Sequence, residues 1–282
     1  MPHAVANVYL IGAQKSGTTF LAALLAQSPD VCVSSPKETH FFTLDYDKGL
    51  EFYATCFADP DAPVRIDAST TYSFLRPRHD LDTPDAPGLT DPVPERIHAV
   101  APDAKFIYIL RDPVQRAMSA YKHTQRKAPP PKGPVSLSQV LDADPMLALG
   151  GRYADQIDRY LEVFPKDRFL FLDFAELTRD PQTVLARTCA FLGIASEGLA
   201  AETSQRNQHG ALRLTGLGRW LKTSQTARVI VRRLLPNRRL RGEIVYRIFS
   251  RPAEIEFTDV EAAEALFAED RIRTQHLTNL KI

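Results

Sequence analysis

Val8-Tyr-Leu-Ile-Gly12-Ala-Gln14-Lys15-Ser16-Gly17-Thr18-Thr19-Phe-Leu21 is an apolar run that breaks into a glycine-flanked loop and then resumes with helical spacing. The pattern reads as a strand, a phosphate cradle and a helix. Backbone N–H groups of the loop, the unpaired N–H groups of the helix's first turn and its positive dipole end all converge where an anion is stabilised. Lys15 adds a full charge at the same place.

The spacing of Gly12, Gly17 and Thr18 mimics the phosphate loop of nucleotide hydrolases, Gly-x-x-x-x-Gly-Lys-Ser/Thr, but here the lysine lies inside the loop. In the hydrolase loop the hydroxyl residue after the lysine holds magnesium on a triphosphate. With Thr18 and Thr19 following the glycine directly, this cradle suits a terminal phosphate with no metal required. Taken alone, a strand-to-helix turn with an incidental glycine and lysine would read the same way.

A second segment points in the same direction. Lys105-Phe-Ile-Tyr-Ile-Leu110 is an unbroken apolar and aromatic run of the kind that forms a strand buried on both faces. It ends in Arg111-Asp112-Pro113, and Pro113 opens a helix carrying Arg116, Ser119, Tyr121 and Lys122. Arg111 at the strand's end, with Ser119 on the following helix, forms a fork for a second phosphate; a structural salt bridge is the plainer use of Arg111. Between these segments lies Ser34-Ser-Pro36-Lys37-Glu38-Thr39-His40-Phe41-Phe42. Glu38 and His40, two residues apart with Lys37 beside them, are what proton abstraction from an alcohol or amine uses when such a loop faces the cradle. The same string also occurs in solvated loops.

In this order the three segments resemble the nucleotide-sulfate-dependent sulfotransferases, especially the branch of the heparan sulfate sulfotransferases and their bacterial relatives. The 5′-phosphosulfate loop of that family matches Gln14-Lys15-Ser16-Gly17-Thr18-Thr19, and its 3′-phosphate motif matches Ile109 to Pro113 running on to Ser119. The Glu-x-His-Phe-Phe segment matches Glu38 to Phe42, and a fourth block matches Gly151 to Tyr160, then Phe164-Pro165 and Arg168 to Asp173. The resemblance implies a donor, 3′-phosphoadenosine 5′-phosphosulfate, held by Gln14 to Thr19 and by Arg111 and Ser119. It gives Lys15 the charge on the departing nucleotide and Glu38 the acceptor's proton, with His40 orienting the acceptor or standing in as base. Late-chain nucleotide contacts fall on Arg206 or Arg213, and acceptor contacts on Lys37, Phe41, Asp67 and Tyr72. The acceptor's hydroxyl, or less readily its amine, would belong to a carbohydrate, lipid or small molecule. One departure bears on that choice: Asp67-Ala68-Ser69-Thr70-Thr71-Tyr72 has alanine where the family often has lysine, which weakens the case for a glycosaminoglycan.

Composition narrows the setting. The chain has 282 residues and a formal net charge of +1, enough length for one large α/β domain with a well-buried core. No apolar stretch is long enough to span a bilayer, and Met1 to Asn7 lacks the regions of a secretory signal, so the expectation is a soluble cytoplasmic protein. Cys32, Cys56 and Cys189 have neither disulfide nor ligand spacing and read as buried thiols.

Strand-like runs at Val8–Ile11, Val31–Val33, Val64–Asp67, Lys105–Leu110 and Phe169–Asp173 alternate with helical stretches at 18–27, 50–57, 94–100, 114–126, 153–164 and 181–192. That alternation predicts a P-loop-like α/β fold: a parallel sheet covered by helices on both faces, with ligands at the strands' C-terminal edge. We expect one sulfotransferase domain over 1–282, with an α/β core at about 7–195 and a basic helical part at about 205–282. Pro-rich connections at Thr83–Pro94 and Ala128–Pro134 read as exposed loops, the second placed to overhang the acceptor. From Arg213 to Arg251 eleven arginines and lysines face the single acid Glu243. A solvated helix face is the plain explanation; an acidic acceptor or an anionic membrane surface are the others, and sparse aromatics argue against nucleic acid. Two rival functions stay open. A small-molecule or nucleotide kinase would need a lysine directly before Thr18 and a magnesium carboxylate where Arg111 stands, and a non-catalytic nucleotide-binding protein would have no use for Glu38 and His40 beside Lys37.

Overall fold

A computed structural model of the chain describes residues 5–76, 92–125, 131, 133–201, 212–214, 250–252 and 255–282, with 212–214 and 250–252 in backbone only. The central sheet contains β1 (Val8–Gly12), β2 (Val31–Val33), β3 (Val64–Asp67), β4 (Lys105–Leu110) and, beyond the short strand β5 (Val135–Ser136), β6 (Phe169–Asp173). Helices α1 (Thr18–Leu25), α2 (Gly49–Ala54), α3 (Val93–Val100), α4 (Pro113–Thr124), α5 (Leu137–Ala143), α6 (Pro145–Leu149) and α7 (Tyr153–Leu161) precede β6. After it come α8 (Phe174–Arg179), α9 (Pro181–Leu192), the paired strands β7 (Leu212–Leu214) and β8 (Ser250–Pro252), then β9 (Phe257–Thr258) and α10 (Val260–Thr278).

The sheet order is β2-β3-β1-β4-β6, and every pairing in it is parallel. Strand order therefore reverses between β1 and β4, and the crevice beyond their C-terminal ends is where such a sheet binds ligands. Alternation along each strand sorts its side chains onto two different faces. Tyr9, Phe106 and Tyr108 join Phe41, Phe42, Tyr53, Tyr72, Tyr160 and Phe164 in an aromatic core. Val8, Leu10, Ile107 and Ile109 face the other way, into an aliphatic core with Leu21 and Leu25 of α1 and Leu177 and Leu185 of α8 and α9. β1 must end in glycine: a Cβ at Gly12 would lie 2.6 Å from Ser73 Oγ and 2.9 Å from Tyr108 Cε2.

The helix that ends the described chain, α10, packs on α4, α5 and α7. Phe267 and Ala263 fill an apolar patch with Val114, Ala117 and Leu141. Around that patch runs an ion-pair frame: Arg271 holds Asp112 Oδ2 at 2.7 Å, and Arg273 reaches Asp155 at 2.8 Å and Asp158 at 2.5 Å. Asp270 accepts from the backbone N–H groups of Ala154 and Asp155, at the start of α7, at 3.2 and 3.3 Å. Among the described residues no helix is long and apolar enough to cross a membrane. Cys32, Cys56 and Cys189 are buried and unbridged. Arg206, most of the basic segment 213–251 and most of both Pro-rich connections lie outside the described residues, and Arg213 is described only as a backbone position in β7.

Burial raises the Asp270 carboxyl to about 6, reinforced by the neighbouring Asp155 charge and opposed by hydrogen bonds from Ala154, Asp155 and Thr274. The folded chain then holds this proton more tightly than the unfolded one, whose aspartates titrate near pH ~4. Asp270's contribution to stability therefore falls as pH rises between about 4 and 6 and is level above that window. Asp270→Asn should gain on the wild type through that interval and hold a constant difference above it, as read by urea denaturation at a series of pH values. A difference that does not vary with pH would contradict this.

Candidate active site

The loop between β1 and α1 is fixed from beneath and from the side. Gly17, at φ 84°, precedes α1 in the left-handed region, and a Cβ there would stand 3.0 Å from Leu177 Cδ2 and 3.3 Å from Phe174 Cε2. Bare backbone at this turn leaves the N–H groups of the first helical turn facing the crevice. Ser16 is buried and its Oγ has no hydrogen-bond partner. An orphaned hydroxyl beside a glycine that cannot carry a side chain is what a phosphate cradle provides, so the loop suits an anionic donor group. Gln14 is half-buried and Thr19 exposed, whereas Thr18 is buried.

Arg111 crosses from the end of β4 to this loop. Its Nη1 donates to the carbonyl of Lys15 at 2.9 Å, and its guanidinium lies 4.6 Å from the centre of the Phe174 ring. Among the described residues its partners are this carbonyl and ring, with no carboxylate in ion-pair contact. Burial draws its pKa below the usual arginine value, against the pull of Tyr153 and Asp112. The neighbouring Asp112 caps α4 by accepting from Gln115 N–H at 2.7 Å, and Pro113 stands at the first helical position. Ser119 and His123 share one face of α4, four residues apart. His123 Nδ1 lies 3.4 Å from Lys15 Nζ, so that face turns towards the loop and carries Ser119 with it. His123 escaped the sequence reading; its spacing from Ser119 was the available signal.

The third segment meets the loop through Lys37. Its Nζ lies 3.0 Å from Glu38 Oε1, 2.9 Å from the carbonyl of Ala68 and 3.5 Å from Thr18 Oγ1, so this residue, expected on the acceptor side, reaches the cradle. Glu38 Oε2 accepts from Thr70 Oγ1 at 2.9 Å and from Thr70 N–H at 3.4 Å. Burial alone would raise the Glu38 pKa and is the largest single influence, but Lys37 and the Thr70 hydrogen bonds together bring it below the ordinary value. The aromatic pair after it does not shelter it. Phe41 and Phe42 have no exposed surface, and Phe41 stacks on Tyr53 at 4.4 Å inside the core. His40 is only half-buried; its N–H donates to Ser69 Oγ at 3.0 Å and its Nδ1 lies 3.0 Å from Thr71 Oγ1. Thr70 and Thr71 were also missed, although the hydroxyl run Ser69-Thr70-Thr71 at the end of β3 signals them.

Asp67 and Tyr72 are corrections of the same kind as Phe41. Both are completely buried, and neither has surface to offer an acceptor. Asp67 is instead the anchor of the segment: Oδ2 accepts from Thr39 at 2.7 Å, Tyr72 at 2.8 Å and Tyr53 at 2.9 Å, and Oδ1 from Ser69 at 2.6 Å. Burial pushes its carboxyl up, and these hydroxyls pull it back without cancelling the rise. The site thus gathers Lys15, Thr18, Lys37, Glu38, Arg111 and His123 through side-chain contacts, Ser16 by its place in the loop and Ser119 by helix face.

Residues 6–211 match the sulfotransferase domain family. The chain belongs to that family. It is 31% identical over 202 residues to the human bifunctional heparan sulfate N-deacetylase/N-sulfotransferase 3, a match covering 66% of this chain and 22% of that protein. Against the human heparan sulfate glucosamine 3-O-sulfotransferase 6 it is 32% identical over 191 residues, covering 66% of this chain and 51% of that protein. The matched stretch therefore spans 22% and 51% of the length of these two relatives. In fold it is similar to the crystal structure of a sulfotransferase from Alicyclobacillus acidocaldarius, with a TM-score of 0.64 and 23% identity over 98% of this chain and 97% of that one.

Asp67 sets a testable constraint on this site. Asp67→Ala strands four buried hydroxyl donors, and at roughly 1–3 kcal/mol for each unsatisfied buried group the loss should reach about 3 kcal/mol or more. Chemical denaturation measures it, and Asp67→Asn, which keeps one acceptor oxygen, should lose less.

Proposed function

We propose that the chain transfers a sulfuryl group from 3′-phosphoadenosine 5′-phosphosulfate to a hydroxyl group of an acceptor, with Glu38 as general base. The observation that carries the reading is the Lys37 ammonium, 3.5 Å from Thr18 at the cradle and 3.0 Å from Glu38, which brings an anion-binding loop and a carboxylate into one site. The bound donor supplies an electrophilic sulfur with a nucleotide as its leaving group. Thr18, Ser16 and the N–H groups at the start of α1 would hold the 5′-phosphate, and Arg111 and Ser119 the 3′-phosphate. Lys15 offsets the charge that collects on the departing phosphate, a task in which positioning and charge neutralisation matter more than covalent help. Glu38 takes the acceptor's proton as the acceptor oxygen bonds to sulfur.

Heparan sulfate appears in the names of the relatives, and the proposal extends to this chain a hydroxyl acceptor of carbohydrate, lipid or small-molecule kind. The neutral Ala68 at the end of β3 argues for an acceptor less anionic than a glycosaminoglycan. We propose one sulfotransferase unit, with α10 closing the core and the basic stretch 213–251 available to an acidic acceptor or an anionic surface.

The donor assignment is tested by calorimetry. Adenosine 3′,5′-bisphosphate should bind much more tightly than AMP, and Arg111→Ala should abolish most of that preference, since each charge-assisted hydrogen bond contributes about 1.5–3 kcal/mol. Equal affinities in the wild type would remove the sulfotransferase reading.

The base is tested by turnover with a sulfated product identified from labelled donor. General-base help is worth about 10²–10⁴-fold, so Glu38→Gln should lower kcat by that order with no loss of bisphosphate affinity. His40→Asn should cost less and act partly through the acceptor's KM. If the His40 variant is the nearly inactive one and Glu38→Gln retains most of its turnover, the proton goes to histidine.

A further inference from the structure

We infer that Lys37 is a shared cation that couples donor binding to the release of the base: it holds Glu38 before the donor arrives and turns to the donor's anion afterwards. The inference rests on the donor assignment proposed above and concerns a positioning role, since Lys37 acts on the proton transfer through Glu38. An ammonium has three N–H donors. Here they have three acceptors within reach: the Ala68 carbonyl at 2.9 Å, Glu38 Oε1 at 3.0 Å and Thr18 Oγ1 at 3.5 Å. The carbonyl is a fixed strut at the end of β3 that keeps the ammonium at the crevice. The other two lie on opposite sides of the chemistry, one being the carboxylate and the other the first residue of α1.

Glu38 is fully engaged in this arrangement. One oxygen faces Lys37, and the other takes the hydroxyl and N–H of Thr70. A carboxylate so held is ionised but weakly basic, which is poor preparation for taking a proton from an alcohol. A donor phosphate at Thr18 competes for the same ammonium with more negative charge than one carboxylate carries. When Lys37 turns to it, Glu38 loses its counter-charge and gains an anionic neighbour, and both changes make it a stronger base. The coupling gives order to the reaction: the base becomes competent once the donor is in place.

The other titratable groups of the site are held separately. Lys15 faces His123 from α4, the His40 ring faces Thr71, and Arg111 lies over Phe174 and on the loop carbonyl. Lys37 is the cation in contact with Glu38 among the described residues.

Calorimetric titration with adenosine 3′,5′-bisphosphate, in paired buffers of different ionisation enthalpy between pH 5 and 7, tests the coupling without an acceptor. The wild type should take up more protons on binding than Glu38→Gln, the excess being the proton that Glu38 gains. Lys37→Met should lose most of that excess, keeping only the part due to the donor's own charge, and Lys37→Arg should retain it. Glu38→Gln should bind the bisphosphate several-fold more tightly than the wild type, and the gain should vanish when Lys37→Met is also present. Equal proton uptake in the wild type and Glu38→Gln overturns the coupling, and so do additive effects of the two substitutions. Should Lys37→Met fail to fold, the comparison of wild type, Glu38→Gln and Lys37→Arg still decides it. Failure of the wild type to prefer the bisphosphate over AMP overturns the donor assignment and the coupling together, whereas tight binding with additive effects removes the coupling alone.

Discussion

One carboxylate without exposed surface, Asp67, organises the side of the site that would do the chemistry. An ion in a protein interior is costly unless its lone pairs are satisfied, and Asp67 meets that condition with four hydroxyls. Two of them decide where Glu38 goes. Thr39 lies between Glu38 and His40, and its hydroxyl also receives Phe41 N–H at 3.1 Å, while Ser69 receives His40 N–H at 3.0 Å. The buried charge thereby fixes the backbone on both sides of Glu38 and draws the end of β3 against it. Tyr53 and Tyr72 bring the same anchor into the aromatic core, so the position of a residue at the crevice is set by packing some distance beneath it.

On the opposite side the constraint is positive charge gathered at one turn. Lys15, Lys37 and Arg111 all approach the start of α1, where Lys37 contacts Glu38 and Lys15 faces His123. Arg111 leans on a ring face and a peptide carbonyl, both weaker partners than an anion. Cations brought to the start of a helix favour an anionic occupant. The geometry of the sheet makes the meeting possible, because β1 and β4 lie side by side at the point where strand order reverses.

Much of this was legible in the sequence because the elements concerned obey simple periodicities. The five central strands fall where their apolar runs lie, and α9 has its expected limits, Pro181–Leu192, since Asp180 caps one end and Gly193, at φ 79°, the other. The elements that escaped have physical reasons. α8 is six residues long and follows β6 without a break, too short for a helical period to show. α10 lies within the helical part expected at 205–282, but its limits were not legible, because it buries Asp270 and Thr274 while exposing Leu266 and Ile272, which blurs the stripe that marks an amphipathic helix. At the site, the motifs single out the glycine loop and the Glu38 segment, which the structure brings together through Lys37, but they leave depth open. Phe41, Asp67 and Tyr72 sit beside functional residues in sequence yet alternate into the core, and a linear pattern carries no measure of how far a side chain lies from water. The same holds for Glu38: the two Phe residues near it in sequence turn into the core, and Lys37 and Thr70 set its charge instead.

The bond between Arg271 and Asp112 joins positions 159 residues apart. Asp112 follows Arg111 directly and caps the helix that carries Ser119 and His123, so the charge balance next to the anion site depends on a segment synthesised long after the site itself. A nascent chain that has emerged only as far as β6 already has the phosphate loop, the base segment and Arg111, but its Asp112 lacks the Arg271 contact. Contacts of such long sequence separation close late in folding. The Asp112 end of α4, next to Arg111, therefore gains its brace only once α10 has docked.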